Sequence, residues 1–300
     1  MLSQETIETY FRSLQDEICR GLEQADGKAK FEEDLWKRPE GGGGRTRTIT
    51  NGNNIEKGGV NFSAVDGPCP DFLKKEAGLK EDENTTFYAT GVSLVIHPVN
   101  PMVPIVHMNV RYLKAGNLEW FGGGIDLTPH YIVEEDAKFF HKHLKKVCDE
   151  HNPSYYTEFK KWADDYFFIP HRNETRGIGG IFFDRLSAKD GISIEDRFEF
   201  VKAVGNSFLK VYLPLIEKNK NRVYTEDNRQ WQLLRRGRYV EFNLVYDRGT
   251  KFGLLTNGRT ESILMSLPPT ACWEYSNQPI KDSPEEKTLA LLKKGIDWAN

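Results

Sequence analysis

In the run His107-Met108-Asn109-Val110-Arg111, an imidazole, an amide and a guanidinium alternate with apolar residues. Successive side chains on a β-strand point to opposite faces, so this spacing gathers His107, Asn109 and Arg111 on one face together with Ile105. Val106, Met108, Val110 and Tyr112 then share the other. Imidazole exchanges protons near neutral pH, and guanidinium binds carboxylates through a fixed two-pronged fork. Such a face is equipped for proton transfer and anion binding. The preceding run alternates in the same way, with Ser93, Val95 and His97 opposite Val92, Leu94 and Ile96. A face bearing two imidazoles, an amide and a guanidinium is an unusual thing to build for stability alone. The ordinary alternative is a solvated antiparallel face, but such faces usually carry Lys, Glu and Thr.

A third run, Leu118 to Thr128, carries Gly122-Gly123-Gly124-Ile125-Asp126. The glycines let a backbone and a flat ligand approach closely. An ionised Asp126 can accept N–H groups or take a proton. Taken alone, Asp126 is equally a turn or N-cap carboxylate, because Asp126-Leu127-Thr128-Pro129 precedes a helical pattern. Elsewhere, Gly41 to Gly44 before Arg45 and Arg47 can be a backbone anion cradle or a loop that starts a strand, and no Lys-Ser or Lys-Thr follows to make a nucleotide loop. His171, Arg172 and Arg176 fall in an irregular stretch after Pro170, where loops often carry function.

These residues need a scaffold, and the chain is long enough to supply one. A chain of 300 residues, 38% hydrophobic, can bury roughly three quarters of its unfolded surface. A net charge of -3 gives no general attraction to nucleic acid. Cys19, Cys69, Cys148 and Cys272 are far apart, which points to reduced thiols and away from a structural zinc site. No apolar run approaches the roughly 18 residues of a membrane span, and the acidic, amphipathic N-terminus lacks the features of a secretory or transit signal. The expectation is a cytoplasmic protein.

Ile7, Phe11, Leu14, Ile18 and Leu22 predict a helix over residues 3–25. Residues 55–70 read as a strand with glycine-permitted bends, and 66–85 as an irregular charged connection. After the three-strand centre, Ala137, Phe140, Leu144, Val147 and Cys148 predict a helix with His141 inward and His143 about 100° away. A buried histidine is ordinarily a hydrogen-bonded core residue. Helices follow over 154–168 and from Ser193, the latter kinked or ended at Pro214. Residues 238–255 read as a strand, a turn at Asp247-Arg248-Gly249 and the start of a second strand, with Val240, Phe242, Leu244 and Tyr246 on one face. Residues 256–269 read as an Asn-Gly turn and an apolar strand. Ser283-Pro284-Glu285-Glu286 starts a last helix running to the end. One α+β domain fits, residues 1–300: a large, mainly antiparallel sheet sandwiched between helices, with an N-terminal helix within 1–30.

The blocks GVSLVIHP, HMNVRY, WFGGGIDLTP, HRNETRGIGGIFFD, VEFNLVYDRGTKFGL and ESILMSLPP resemble those of the oxygen-dependent coproporphyrinogen III oxidases, in the same order and over nearly the whole chain. The resemblance implies oxidative decarboxylation of two propionates of coproporphyrinogen III to vinyls, giving protoporphyrinogen IX, with dioxygen as co-substrate. It also implies a homodimer, with residues 239–274 at the subunit contact, and a cleft over the sheet. By resemblance, Ser93, the Asn109-Val110-Arg111 segment and the Asn257-Gly258-Arg259 segment contact substrate. Relatives tend to have Gly-Gly-Arg or Gly-Ser-Arg at the last of these, which makes Arg259 the firmer assignment. Arg111, Arg176 and Arg259 are the arginines suited to the propionates. His107 becomes the proton donor or acceptor and Asp126 the carboxylate facing the pyrrole N–H groups, with Asp247 and Arg248 as weaker alternatives. His97, His107, His141 and His171 match positions assigned both to a divalent metal and to acid–base work. No close-spaced ligand pair lies on the strand face, so chemistry without a resident cofactor is the expectation, with a divalent metal as the alternative. A non-catalytic tetrapyrrole carrier and a metal-dependent oxygenase or hydrolase are the rival functions.

Overall fold

Alternating strands joined by short turns line up in chain order because each can pair with the one just made. The computed structural model describes residues 2–78, 80, 85–255 and 258–300. After α1 (Gln4–Asp26) come β1 (Glu32–Lys37), β2 (Gly42–Thr50) and β3 (Ile55–Pro68). Helix α2 (Asp71–Ala77) precedes β4 (Thr86–Pro98), β5 (Ile105–Ala115) and β6 (Leu118–Thr128). Then follow α3 (Glu134–Asp149), α4 (Tyr155–Tyr166), the two-residue strands β7 (Phe168–Ile169) and β8 (Glu174–Thr175), and β9 (Gly179–Leu186). The chain continues through α5 (Ile194–Asn219), α6 (Glu226–Val245), α7 (Arg248–Leu255), α8 (Thr260–Leu264) and α9 (Pro284–Leu291). A seven-stranded sheet runs β1-β2-β3-β4-β5-β6-β9, every neighbouring pair antiparallel.

One sheet face carries the main core. Val60, Phe62, Val92, Leu94, Ile96, Val106, Met108 and Val110 pack against the buried stripes of α1, α3 and α5. The other face is covered by α6 and α8. Glu56 accepts from Arg229 and from the fully buried Arg236, and Arg236 also donates to the Pro98 carbonyl, fixing α6 over the ends of β3 and β4. Asn61 donates to the Ser262 carbonyl, and Met265 fills the space left by Gly59, where an added Cβ would lie 1.7 Å from its sulfur. Helices therefore lie on both sides of one sheet, as expected.

The region 239–269 departs from expectation. Residues read as strands form α6, α7 and α8. Alternation of Val240, Phe242 and Leu244 mimics a strand. The helix, however, begins far upstream at a Thr225–Asn228 capping box and buries Gln232, Arg236, Tyr239 and Asn243 at helical spacing. Polar side chains occupy much of its buried face, so the 3.6-residue period is invisible to apolar counting. Asp247 caps α7, accepting from the Thr250 N–H at 2.7 Å, rather than turning a hairpin. Residues 66–85 contain α2 in place of a wholly irregular link. Pro214 neither ends nor splits α5: Lys210, whose carbonyl it leaves unbonded, is exposed to water. The last helix stops at Leu291, and the chain beyond it buries Trp298 in the core. Gly42 to Gly44 start β2, and Arg45 and Arg47 pair with Asp16, which removes the anion-cradle reading.

His141 is a core histidine. Its Nε2 donates to the Ile178 carbonyl at 3.0 Å and its Nδ1 accepts from the Tyr156 hydroxyl at 2.9 Å. Burial pushes the imidazole down to about 3. The folded protein holds it neutral while the unfolded chain protonates it below about 6.5. Stability conferred above that pH is thus lost as pH falls toward 3, by about 1.4 kcal/mol per pH unit. His141→Gln is expected to flatten this slope between pH 6.5 and 3 in urea unfolding at stepped pH, and an unchanged slope would refute the assignment.

Candidate active site

Register sets the site. Residues paired across antiparallel strands share a face, so cross-strand rows can be read directly. One row is Val95, His107, Asp126 and Gly180. The next is Asp34, Thr46, Asn61, Ser93, Asn109, Gly124 and Phe182. The third is Gly44, Ser63, Gly91, Arg111 and Gly122. Ser93, His107, Asn109 and Arg111 do share a face and are all part-exposed on it. The Val110 side chain is fully buried on the opposite face, so only its backbone belongs to the floor.

At the centre are three side chains. Asp126 Oδ1 accepts from His107 Nδ1 at 2.8 Å, and Arg176 Nη2 donates to both carboxylate oxygens at 2.9 and 2.8 Å. Arg176 arrives from the segment after β8 and is buried among the rings of Phe167, Tyr239 and Phe242, 4.3–4.8 Å from each centroid. Its Nη1 donates to Asn243 Oδ1 on α6 at 3.0 Å. Burial alone would raise the Asp126 pKa, but the Arg176 charge and the His107 hydrogen bond outweigh it and hold the carboxyl below its usual range. An ionised carboxylate only accepts, so His107 Nδ1 carries a proton, and in the neutral imidazole the lone pair is on Nε2. Among the described residues Nε2 has no hydrogen-bond partner, and 22% of the side chain is exposed.

This differs from expectation in two ways. Asp126 is neither a helix cap nor an open acceptor for a ligand: it lies within β6, is 1% exposed, and has both oxygens engaged. The α3 N-cap is Val133. Arg176 is occupied by Asp126 and is not available to a carboxylate tail. Arg111 is available. It is 37% exposed, held by Asp184 at 3.1 Å and by Asn109 Oδ1 at 3.1 Å. Gly122 makes this possible, since a Cβ there would sit 2.3 Å from Asp184 Oδ1 and 3.1 Å from Arg111 Nε.

The remaining expected residues are spread out. Arg259 pairs with Asp34 on β1, four strand spacings from β5, or about 19 Å. Gly258 donates to the Gly253 carbonyl at 2.8 Å, and Asn257 lies outside the described residues. The four histidines have separate fates. His97 is buried under Tyr239 with Nε2 2.8 Å from the Ser266 carbonyl, and burial takes it down to about 3. His141 has both nitrogens bonded in the core. His171 bonds Tyr246 and Glu241, and His107 bonds Asp126. These donors do not fit one metal ion, and among the described residues no group of three or more His, Cys, Asp or Glu gathers to hold one. Asp184, Asn61 and Asn243 were missed in the sequence. Alternation from Gly180 through Phe182 places Asp184 on the site face and was a usable signal, whereas Asn243 was hidden by the strand reading of its helix.

A family model described as coproporphyrinogen III oxidase matches residues 6–298. The chain is 51% identical over 304 residues to the oxygen-dependent coproporphyrinogen-III oxidase of Drosophila melanogaster, covering 97% of this chain and 77% of that protein. It is 47% identical over 316 residues to a protein of the same name from the cyanobacterium Prochlorococcus marinus, covering 97% of this chain and 91% of that protein.

Removing one partner from a buried ion pair strands the other charge, which costs about 3–5 kcal/mol. Asp126→Asn and Arg176→Met are each expected to lose on that order, while the double variant loses markedly less than their sum in urea unfolding. Additive losses would show that the two groups are not coupled.

Proposed function

Because this chain belongs to the coproporphyrinogen III oxidase family, we infer that it catalyses oxygen-dependent oxidative decarboxylation of coproporphyrinogen III to protoporphyrinogen IX. The observation that carries this reading is 51% identity over 97% of the chain to a relative so named. Each of two propionates loses its carboxylate as carbon dioxide and one hydrogen from the carbon next to the pyrrole. For each propionate one dioxygen takes the two electrons released, with two protons, and leaves as hydrogen peroxide, and a vinyl group remains.

The chain's own residues divide this work by their chemistry. Arg111, braced by Asp184 and Asn109, receives a propionate through its fork of donors. Ser93 and Asn109 offer polar contacts beside it, with backbone at Val110; Asn257, Gly258 and Arg259 are the further substrate contacts that the family resemblance implies, and Arg259 stands toward the β1 edge. His107 acts as the base at Nε2, taking a proton from the macrocycle, and the imidazolium so formed is stabilised by ionised Asp126. Arg176 keeps Asp126 ionised and oriented, so it is a positioning residue. A deprotonated, electron-rich pyrrole can react with dioxygen directly. No step is routed through a metal, because His97, His141 and His171 are each engaged by other protein groups.

We further propose a homodimer formed through residues 239–274. The support is exposed apolar surface there: Leu244, Val245, Leu254, Leu255 and Trp273 are each at least 40% exposed. Among the described residues no helix is long and apolar enough to cross a membrane. All four cysteines are free, which suits the cytoplasm.

Metal-stripped protein supplied with coproporphyrinogen III is expected to release carbon dioxide in air and none without oxygen. Binding without turnover would identify a carrier, and loss of turnover on stripping that returns with added metal would refute the cofactor-free scheme. In the same assay Arg111→Ala should lower kcat/KM about 100-fold, the loss of a charged hydrogen bond worth roughly 1.5–3 kcal/mol; wild-type values would remove Arg111 from the propionate site. Sedimentation equilibrium should give twice the 34.5 kDa chain mass, shifting toward monomer in Leu255→Glu; a wild-type monomer would sink the dimer.

A further inference from the structure

Helix α6 serves two sides. Gln232, Arg236, Tyr239 and Asn243 face the sheet and the site just described. Trp231, Leu234, Arg235 and Arg238 instead line a cavity of about 180 Å³. Across it lie Arg172 and Glu174, from the segment around β8, and Gln278.

Three guanidiniums, of the exposed Arg172 and the more buried Arg235 and Arg238, converge on one cavity. Glu174 accepts from Arg235 Nη1 at 2.9 Å. Glu241 is shared by Arg172 at 2.6 Å, His171 at 2.7 Å and Arg238 at 3.2 Å. Two carboxylates thus serve three arginines. Arg235 is only 4% exposed, and its Nη2 is buried without a hydrogen-bond partner. A buried charged donor left unpaired is costly, so Arg235 gains from an acceptor brought within its reach. Burial, with the like charge of Arg172 and of Arg235, pushes the Arg238 guanidinium below its usual range, a strain that a bound anion would relieve.

We propose that this cavity binds a phosphate group, either free or as the monoester of a small apolar molecule. A tetrahedral phosphate offers oxygens in three or four directions, which suits donors converging from α6 and from the β8 segment better than a planar carboxylate does. Glu174 is the one carboxylate on the wall, and its charge is already offset by Arg235. The Trp231 ring, over which the Arg235 guanidinium lies at 5.8 Å, and Leu289 give the apolar surface an ester would use.

The test is calorimetric titration of the full chain, freed of phosphate, with inorganic phosphate and with phenyl phosphate at constant ionic strength. One saturable site per chain is expected. Arg238→Gln and Gln278→Glu should each weaken it at least about tenfold by removing or opposing a charged contact. These variants keep the test valid should Arg235→Gln, which leaves part-buried Glu174 without its partner, fail to fold. Tighter binding of phenyl phosphate assigns an ester and tighter binding of inorganic phosphate assigns the free ion, and either result upholds the site. No saturable binding of either probe, or affinities unchanged in Arg238→Gln and Gln278→Glu, overturns it.

Discussion

A buried ion pair between Arg176 and Asp126 is the interaction on which the site depends. Both groups are withdrawn from water, at 2% and 1% exposure. Either charge alone would be held there at a cost of several kcal/mol. Together, with the His107 hydrogen bond, the Asn243 amide and three aromatic faces, they satisfy most of one another's needs. The pair ties β6 to the segment after β8, and through Asn243 to α6, so three parts of the chain distant in sequence hold one geometry. It also selects the tautomer of neutral His107: an acceptor-only carboxylate makes Nδ1 the donor, which leaves the lone pair on Nε2.

The sheet gives that geometry its precision. A strand pairing slipped by one residue would turn every side chain to the other face, and the register here is fixed by the deep apolar core on the opposite side. Bare backbone at Gly91, Gly122 and Gly124 leaves Arg111 and Asn109 standing above a low floor. The anchoring of α6 through Arg236 and Glu56 then sets one wall.

The histidines show how environment divides identical side chains. Burial takes His97 and His141 down to about 3, so both are neutral structural groups throughout the physiological range. His107 alone of the four combines a place on the floor, an ionised partner and an unbonded nitrogen. Residue type raised all four as candidates, and burial with hydrogen bonding separated them.

Much of this could be read in the chain itself. The two-residue alternation around His107 and Arg111 fixed which side chains share a face, because a strand's period is local and needs no partner. The stripes of α1, α3 and α5 were legible for the same reason. Helix α6 was not, since its buried face is built from Arg, Gln and Asn whose partners, Glu56, Pro98 and Arg176, come from elsewhere in the chain. The occupation of Asp126 was equally hidden: a carboxylate's neighbours depend on which guanidinium folding brings to it. Local periodicity determined the elements and their faces, while long-range charge pairing, which exists only once the chain has closed on itself, decided which of those polar groups are free to act.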